Sequence, residues 1–340
     1  MNAREIVNNE AGGLDPLVSI VIPTYNRANL IGRAINSVLA QTMKYFDLII
    51  VDDGSNDNTQ QVVLSHTDER IQYLRHEHNQ GQNPALNTGV RAARGQYIAF
   101  LDSDDEWLPE FLERVLSRFR EDENLGAVYT RAYESLPSGR MVEGFPFHLE
   151  GSVYREALAQ GYLSYMITIV VKKECLDQLG PFPFDPEFAV CQDDDFCFRI
   201  AKLCRIGLIP ETFAIIHSDG GNERLIANKV AYADGWWKLI NKFHVDILQE
   251  CGKGVLARHY FKGAMLYLKS GQIRRAHDAL ILARRTSASV RYVGFEMLAR
   301  LPFALLAIYL IRRLLLRLRS ILVNVKGRIG LLNIFSSASF

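Results

Sequence analysis

The stretch "QYIAFLDSDDEWLP", residues 96–109, ends an apolar run with three carboxylates: Asp102, Asp104 and Asp105. Like charges this close repel, and a carboxylate beside an apolar sheet must recover its lost solvation from a cation or from hydrogen-bond donors. Clustered aspartate oxygens are hard ligands that favour Mg2+ or Mn2+, ions that keep water and bridge to phosphate oxygens. A second acidic knot, "CQDDDFCFR", sets Asp193, Asp194 and Asp195 ahead of an apolar stretch. It also suits a plain helix N-terminus, where the dipole favours aspartate. A third polar stretch, "VDDGSNDNT", holds Asp52 and Asp53 and makes a good turn and cap cluster.

The elements that must position these groups follow from periodicity. "LVSIVIPTYN", "FDLIIVDDGS", "IQYLRH", "QYIAFL" and "LGAVYTRAYE" read as strands. "NLIGRAINSVLAQ", "DNTQQVVLSH", "PALNTGVRAA" and "PEFLERVLSRFRE" read as helices between them, with Pro109 suited to a first helical turn. This alternation predicts an α/β fold with a doubly wound, mostly parallel sheet. Ligands of such sheets bind at the carboxyl ends of strands, and "PTYNR", "DDGSNDNT" and "DSDDE" all sit there. Farther on, "SLPSGRMVEGFPF" predicts a loop or small hairpin. "LSYMITIVVKKECLDQLG" predicts strand, turn and short helix, and "TFAIIH" a last strand ending at His217.

Charge divides the chain. Residues 1–250 hold 23 Lys+Arg against 36 Asp+Glu, whereas residues 251–340 hold 16 against 2, so a formal net charge of +1 hides an acidic body and a basic tail. In the tail, "ARHYFKGAMLYLKSGQIRRAHDALILARR" is similar to one tetratricopeptide-like unit, but a single copy predicts no more than a helical hairpin. "LPFALLAIYLI" followed by "RRLLLRLRS" is too short to cross a bilayer and suits an interfacial helix, or else a core helix. The five cysteines are odd in number and lack CxxC spacing, which predicts packing roles in a reducing compartment. The first residues show no apolar signal region, and no P-loop, GxGxxG fingerprint or Ser–His–Asp elbow is present.

Four motifs in order, "VSIVIPTYNR", "DLIIVDDGSNDNT", "NQGQNPALNTGVRAARGQYIAFLDSDD" and "CQDDDFCFRIA", resemble those of inverting family-2 glycosyltransferases, over roughly residues 17–222. The resemblance implies a GT-A type, Rossmann-like domain over 17–225, after a flexible N-terminus (1–16) and before a helical, basic, amphipathic C-terminal region (226–340). It implies a nucleotide-sugar donor, UDP by family habit, and a glycan or lipid-linked saccharide acceptor of the cell envelope. By the same resemblance Pro23, Thr24 and Tyr25 form the wall of the base pocket. Asp53 hydrogen-bonds the base with Asp52 beside it, and Asp102 and Ser103 face ribose and sugar. Asp104 holds a divalent metal, Mn2+ or Mg2+, and His217 matches a further metal or phosphate contact in some relatives. Counting back from Arg199 matches the catalytic base to Asp193, with Asp194 or Asp195 as alternatives, and puts Gln192 where the family has Glu. Leu86 stands where many relatives have an arginine.

The expected setting is cytoplasmic, peripheral on the inner membrane face through about 290–325, with no nucleic-acid partner. Two rivals differ in class. A nucleotidyltransferase would need a basic phosphate loop, where "PTYNR" offers only Arg27. A non-catalytic nucleotide-sugar or carbohydrate-binding protein would gain from Gln192.

Overall fold

The computed structural model describes residues 15–136, 138–144, 148–218 and 228–287. The N-terminal segment expected to be flexible lies almost wholly outside the described residues, and the apolar and basic stretch from 290 to 325 wholly so. The chain divides into two compact units, Met1–Ala227 and Asn228–Phe340.

The first unit is built on one sheet. Its N-terminal half alternates β1 (Val18–Thr24), α1 (Ile31–Leu39), β2 (Phe46–Asp52), α2 (Thr59–Leu64), β3 (Ile71–Arg75), α3 (Gln82–Ala92) and β4 (Tyr97–Phe100). After a short β5 (Glu106–Trp107) come α4 (Phe111–Glu121), β6 (Leu125–Ser135), β7 (Met141–Glu143) and α5 (Tyr154–Gln160). A 3-10 turn at Met166–Thr168 then leads into β8 (Ile169–Lys172), α6 (Lys173–Asp177), α7 (Gln192–Leu203) and β9 (Arg205–His217). Pro109 falls in the turn ahead of α4 rather than inside its first turn.

The strand order is β3-β2-β1-β4-β8-β6-β9-β5, with β7 paired to β6. β3, β2, β1 and β4 are mutually parallel, as the alternation predicts. β8 then enters between β4 and β6, antiparallel to both, and β9 runs parallel to β6. Every residue of β1 and β2 is buried, the pattern of strands covered on both faces. α1 turns Ile31, Ala34, Ile35 and Val38 inward at helical spacing. α3 packs so closely on β1 that a Cβ on Gly89 would lie 2.3 Å from Val21 Cγ1. β9 begins well ahead of the expected strand "TFAIIH", and Pro210 and Glu211 within it are taken up where its register with β6 shifts.

The second unit comprises α8 (Lys229–Lys242), a turn of helix α9 (His244–Asp246), a π-helical turn over Ile247–Cys251, α10 (Lys253–Lys269) and α11 (Ile273–Thr286). Asn228 Oδ1 caps α8 by accepting from the Ala231 N–H at 3.1 Å. α10 and α11 form the expected hairpin around buried Ala264, Tyr267, Leu268, Ala276 and Leu280. All five cysteines are free thiols. No helix among the described residues is long and apolar enough to cross a membrane.

Candidate active site

The first wall comes from the exits of β1 and β2, which are laced together. The Asp53 N–H donates to Thr24 O (2.8 Å), Asn26 N–H to Ser55 Oγ (2.9 Å), and Arg27 N–H to Thr59 Oγ1 (2.9 Å). Asn26 Oδ1 in turn accepts from the Asn56 N–H at 2.8 Å. This lacing holds Asn26 at φ 52°, a left-handed conformation uncommon outside glycine. Beside it Pro23 and Thr24 are buried at the strand end, while Tyr25 stands 40% exposed with its ring available to a flat ligand.

Asp52 and Asp53 are buried, and both are committed to protein donors. Asp52 accepts from the Ser55 N–H (2.7 Å) and from the Tyr73 hydroxyl. That bond, together with desolvation, the larger cause, pushes the Tyr73 phenol well above its usual range. Asp53 accepts from His76 Nδ1 (2.7 Å), from the Gln80 N–H (3.0 Å) and from the Gly81 N–H (2.7 Å). It therefore anchors the loop that leads into α3. Gly54 between these groups adopts φ +78°, and a Cβ there would meet the His78 backbone at 2.9 Å.

The second wall is the exit of β4. One carboxylate oxygen from each of Asp102, Asp104 and Asp105 lies within 4.8 Å of the others, so the fold does gather the group that the sequence singled out. Some donors meet its carboxylates and others brace the backbone that carries them. The Asp105 N–H donates to Asp102 O (3.1 Å), Gln82 Nε2 to Asp102 Oδ1 (3.0 Å), and the His217 N–H to Asp105 Oδ1 (2.8 Å). Arg27 places a guanidinium nitrogen 3.8 Å from Asp104 Oδ2, and the Arg33 guanidinium donates to the Asp104 carbonyl. Ser103 is buried between the aspartates. His217 stands beside the cluster but outside it: its Nε2 is 2.8 Å from Glu106 Oε1, because β9 pairs with β5 and sets the two side chains together.

The third wall is the start of α7. Cys191, just before it, takes φ 62°, the other non-glycine residue with positive φ among those described. Such backbone strain persists where surrounding structure over-determines it, often at functional sites. Asn83 Nδ2 donates to Asp185 O (2.7 Å) and Phe188 O (2.8 Å), and Asn87 exchanges hydrogen bonds with the Phe184 backbone (2.6 and 2.9 Å). These amides fasten the approach to α7 onto α3. Asp195 is 1% exposed and ion-paired with Arg199 at 2.7 Å, a turn along the same helix, so its carboxylate has a structural partner.

Asp193 is different. Part of the residue reaches solvent, but its carboxyl is packed round by protein. Desolvation first, and the Asp194 charge second, push it up to about 7, while the donating Met166 N–H pulls the other way. A carboxyl poised there is suited to accept a proton near neutral pH. Gln192, one residue earlier, donates from Nε2 to Gln82 Oε1 at 3.1 Å, and Gln82 donates to Asp102. A two-amide bridge thus joins the start of α7 to the acidic strand exit. Sequence reasoning missed Gln82, Asn83 and Asn87, whose only signal was the density of amides in "QGQNPALN".

Comparison with known proteins shows the family of the chain. The model of the family described as Glycosyl transferase family 2 matches residues 19–168. The UDP-Glc:alpha-D-GlcNAc-diphosphoundecaprenol beta-1,3-glucosyltransferase WfgD of Escherichia coli is 40% identical over 264 residues, covering 78% of this chain and 97% of that protein. The chain belongs to glycosyltransferase family 2. Among solved structures, this family 2 glycosyltransferase is similar in fold to S. aureus TarS 1–349 in complex with UDP-GlcNAc. The TM-score is 0.64 at 19% identity, covering 79% of this chain and 81% of that one. A mannosyltransferase from Pyrobaculum calidifontis in complex with GDP-Man and Mn2+ gives a TM-score of 0.55 at 19% identity, covering 87% of each chain. The GT-A architecture and the transferase class expected from the motifs hold.

Proposed function

We propose that this glycosyltransferase moves a sugar from a UDP-sugar to a hydroxyl of a lipid-linked saccharide by a single inverting displacement, with Asp193 as general base. The observation that carries the reading is the meeting of two unlike acidic groups. Asp193, held near neutrality, stands next to Gln192, which reaches through Gln82 to Asp102. Groups with such different environments in one crevice divide into electrostatic and proton-transfer roles.

The acidic cluster fits a divalent ion: its donor set is all oxygen and its three carboxylates converge. Asp104, with Asp102, would hold Mg2+ or Mn2+, which when bound offsets negative charge on a diphosphate. The rest of the work falls to the chain. Tyr25 offers its ring to the base, Asp52 and Asp53 shape the pocket floor, and Asp102 and Ser103 face the ribose and sugar. Arg27 adds positive charge beside the diphosphate on a chain that has Leu86 in place of an arginine on α3. Asp193 takes the acceptor hydroxyl proton as the oxygen bonds the anomeric carbon from the face opposite the leaving group. The anomeric carbon–oxygen bond breaks, and its electron pair leaves with the nucleoside diphosphate. Proton transfer of this kind contributes about 10²–10⁴ in rate. We assign His217 to the support of this site through Glu106.

The donor and acceptor classes of WfgD, UDP-Glc and a diphosphoundecaprenol-linked sugar, support the UDP-sugar and lipid-linked acceptor read here. A lipid-linked acceptor also gives the basic stretch over 290–325 a use, as a peripheral attachment to anionic headgroups. Deleting it should lower the membrane-bound fraction in cell fractionation, and an unchanged fraction would refute that attachment.

The test is nucleoside diphosphate release from a panel of nucleotide sugars, with Mn2+ or Mg2+ and host lipid extract, for wild type beside Asp193→Asn. Release that needs the lipid extract and is lost in the variant, with UDP still bound, is expected. Full release by Asp193→Asn would move the base elsewhere. Binding of donors without turnover of any would favour a sugar-nucleotide-binding protein.

A further inference from the structure

We infer that Gln82 and Gln192 are positioning residues for the donor: together they form a directional hydrogen-bond relay that orients Asp102, and glutamine at position 192 is what fixes the direction. The inference rests on the proposed role of Asp102 toward the nucleotide sugar.

The argument starts from what each group is able to do. A carboxylate only accepts hydrogen bonds, whereas a primary amide donates from nitrogen and accepts at oxygen. Gln82 Nε2 donates to Asp102 Oδ1 at 3.0 Å, so its own oxygen faces away and requires a donor. Gln192 Nε2 supplies it at 3.1 Å. The sense of the chain is Gln192 to Gln82 to Asp102, and it ends in a charge-assisted bond of the stronger kind.

Both glutamines open helices whose starts are pinned. Gln82 is the first residue of α3, where Asp53 holds the Gly81 N–H at 2.7 Å. Gln192 is the first residue of α7, whose approach is fastened by Asn83 and Asn87 and whose first turn carries the Asp195–Arg199 pair. Neither end has much freedom to retreat from the other.

A carboxylate at position 192 would reverse the relay. It has no proton to give, so the Gln82 amide would turn its nitrogen to it and present oxygen to Asp102. Two acceptors would then face one another. Gln→Glu is nearly isosteric, so shape alone predicts a mild effect, whereas the polarity of the relay predicts a severe one. Methionine at 192 keeps the length and does not repel: it removes the donor to Gln82 Oε1 and so loosens the relay, but it does not reverse it, and Gln82 still has its N–H to give to Asp102.

The experiment measures UDP binding by titration calorimetry with Mn2+, and donor KM and kcat, for Gln192→Glu and Gln192→Met, each alone and combined with Gln82→Met. Gln192→Glu is expected to weaken UDP binding and raise donor KM by about tenfold or more, with kcat at saturation changing less, and Gln192→Met by no more than about threefold. In the Gln82→Met background the two substitutions should become alike, the coupling that a double-mutant cycle isolates. A Gln192→Glu loss that persists undiminished without Gln82 would be plain charge repulsion and would overturn the relay. So would a ranking with methionine worse than glutamate. A nucleotide-free readout separates this from the proposed function: the side-chain amide NMR signals of Gln82 should shift in Gln192→Glu far more than in Gln192→Met. If wild type fails to bind UDP, the proposed donor fails, while the amide signals still decide the relay.

Discussion

Replacing Asp193 by asparagine should stabilise the fold above neutral pH and do so much less in acid. The native carboxyl is pushed from 3.8 to about 7, chiefly by desolvation. A group whose native pKa lies above its unfolded value binds more protons in the native state across the gap, so stability falls as pH rises from about 4 to about 7 and stays lower beyond. The full gap corresponds to about 4 kcal/mol, and the linkage relation leaves about 2.5 kcal/mol of it between pH 5 and pH 8. Since part of Asp193 reaches water, these are upper values. Asparagine keeps the shape and still accepts from the Met166 N–H, but it does not ionise, so the pH-dependent cost disappears. Urea unfolding of wild type and Asp193→Asn at the two pH values reads the effect as a difference of differences, which cancels whatever the substitution does to packing. A variant advantage that grows by about 1–2.5 kcal/mol from pH 5 to pH 8 is expected. Equal advantage at both values would show that the native carboxyl titrates like an exposed one, and would remove the physical ground for its role as base.

Three further outcomes follow from contacts described above. Asp104→Ala should weaken Mn2+-dependent UDP binding by at least about tenfold in calorimetry, since one of three converging carboxylates is gone, and an unaltered metal response would remove Asp104 as a ligand. Arg199→Ala leaves the Asp195 carboxylate, 1% exposed, without its ion pair and should cost about 3–5 kcal/mol in urea unfolding; a loss below about 1 kcal/mol would mean that other donors suffice. Gly89→Ala drives a methyl group into Val21 and should cost about 1–3 kcal/mol, part of which Val21→Ala restores in the double variant; strictly additive losses would contradict the contact.

The strand exits were legible in the sequence because apolar runs ending in polar clusters carry both the element and its direction. β1, β2 and β4 each stop within two residues of where "PTYNR", "DDGS" and "DSDD" begin. What joins the sheet beyond β4 was not legible. The run "ITIVVKK" states that β8 is a buried strand but nothing of its partners, and its antiparallel entry between β4 and β6 is a tertiary choice. Only the second part of β9, "TFAIIH", was legible; its first part runs through Pro210, which the sheet tolerates at a register shift. The resemblance matched His217 to a metal or phosphate contact, whereas its observed partner Glu106 depends on the β5–β9 pairing, which two residues of β5 do not announce. The amides of α3 were missed because asparagine and glutamine on a helix look like ordinary surface residues until the facing element is known.

The two acidic groups differ in compensation rather than in composition, and that difference is the ground for the division of labour proposed above. At the β4 exit the carboxylates are met by Gln82, by the His217 N–H and by the Arg27 guanidinium, while Arg33 braces the Asp104 carbonyl. At the α7 start, Arg199 is drawn to Asp195, and Asp193 is left with a neighbouring negative charge and a single named backbone donor. The two sites are made from the same residue type. On the proposed reading, the first faces a cation or the polar groups of a donor, and the second gains and releases a proton. A motif of consecutive aspartates cannot state which of its members does which. In this chain the Arg199 ion pair with Asp195 is what favours Asp193 as the proposed base.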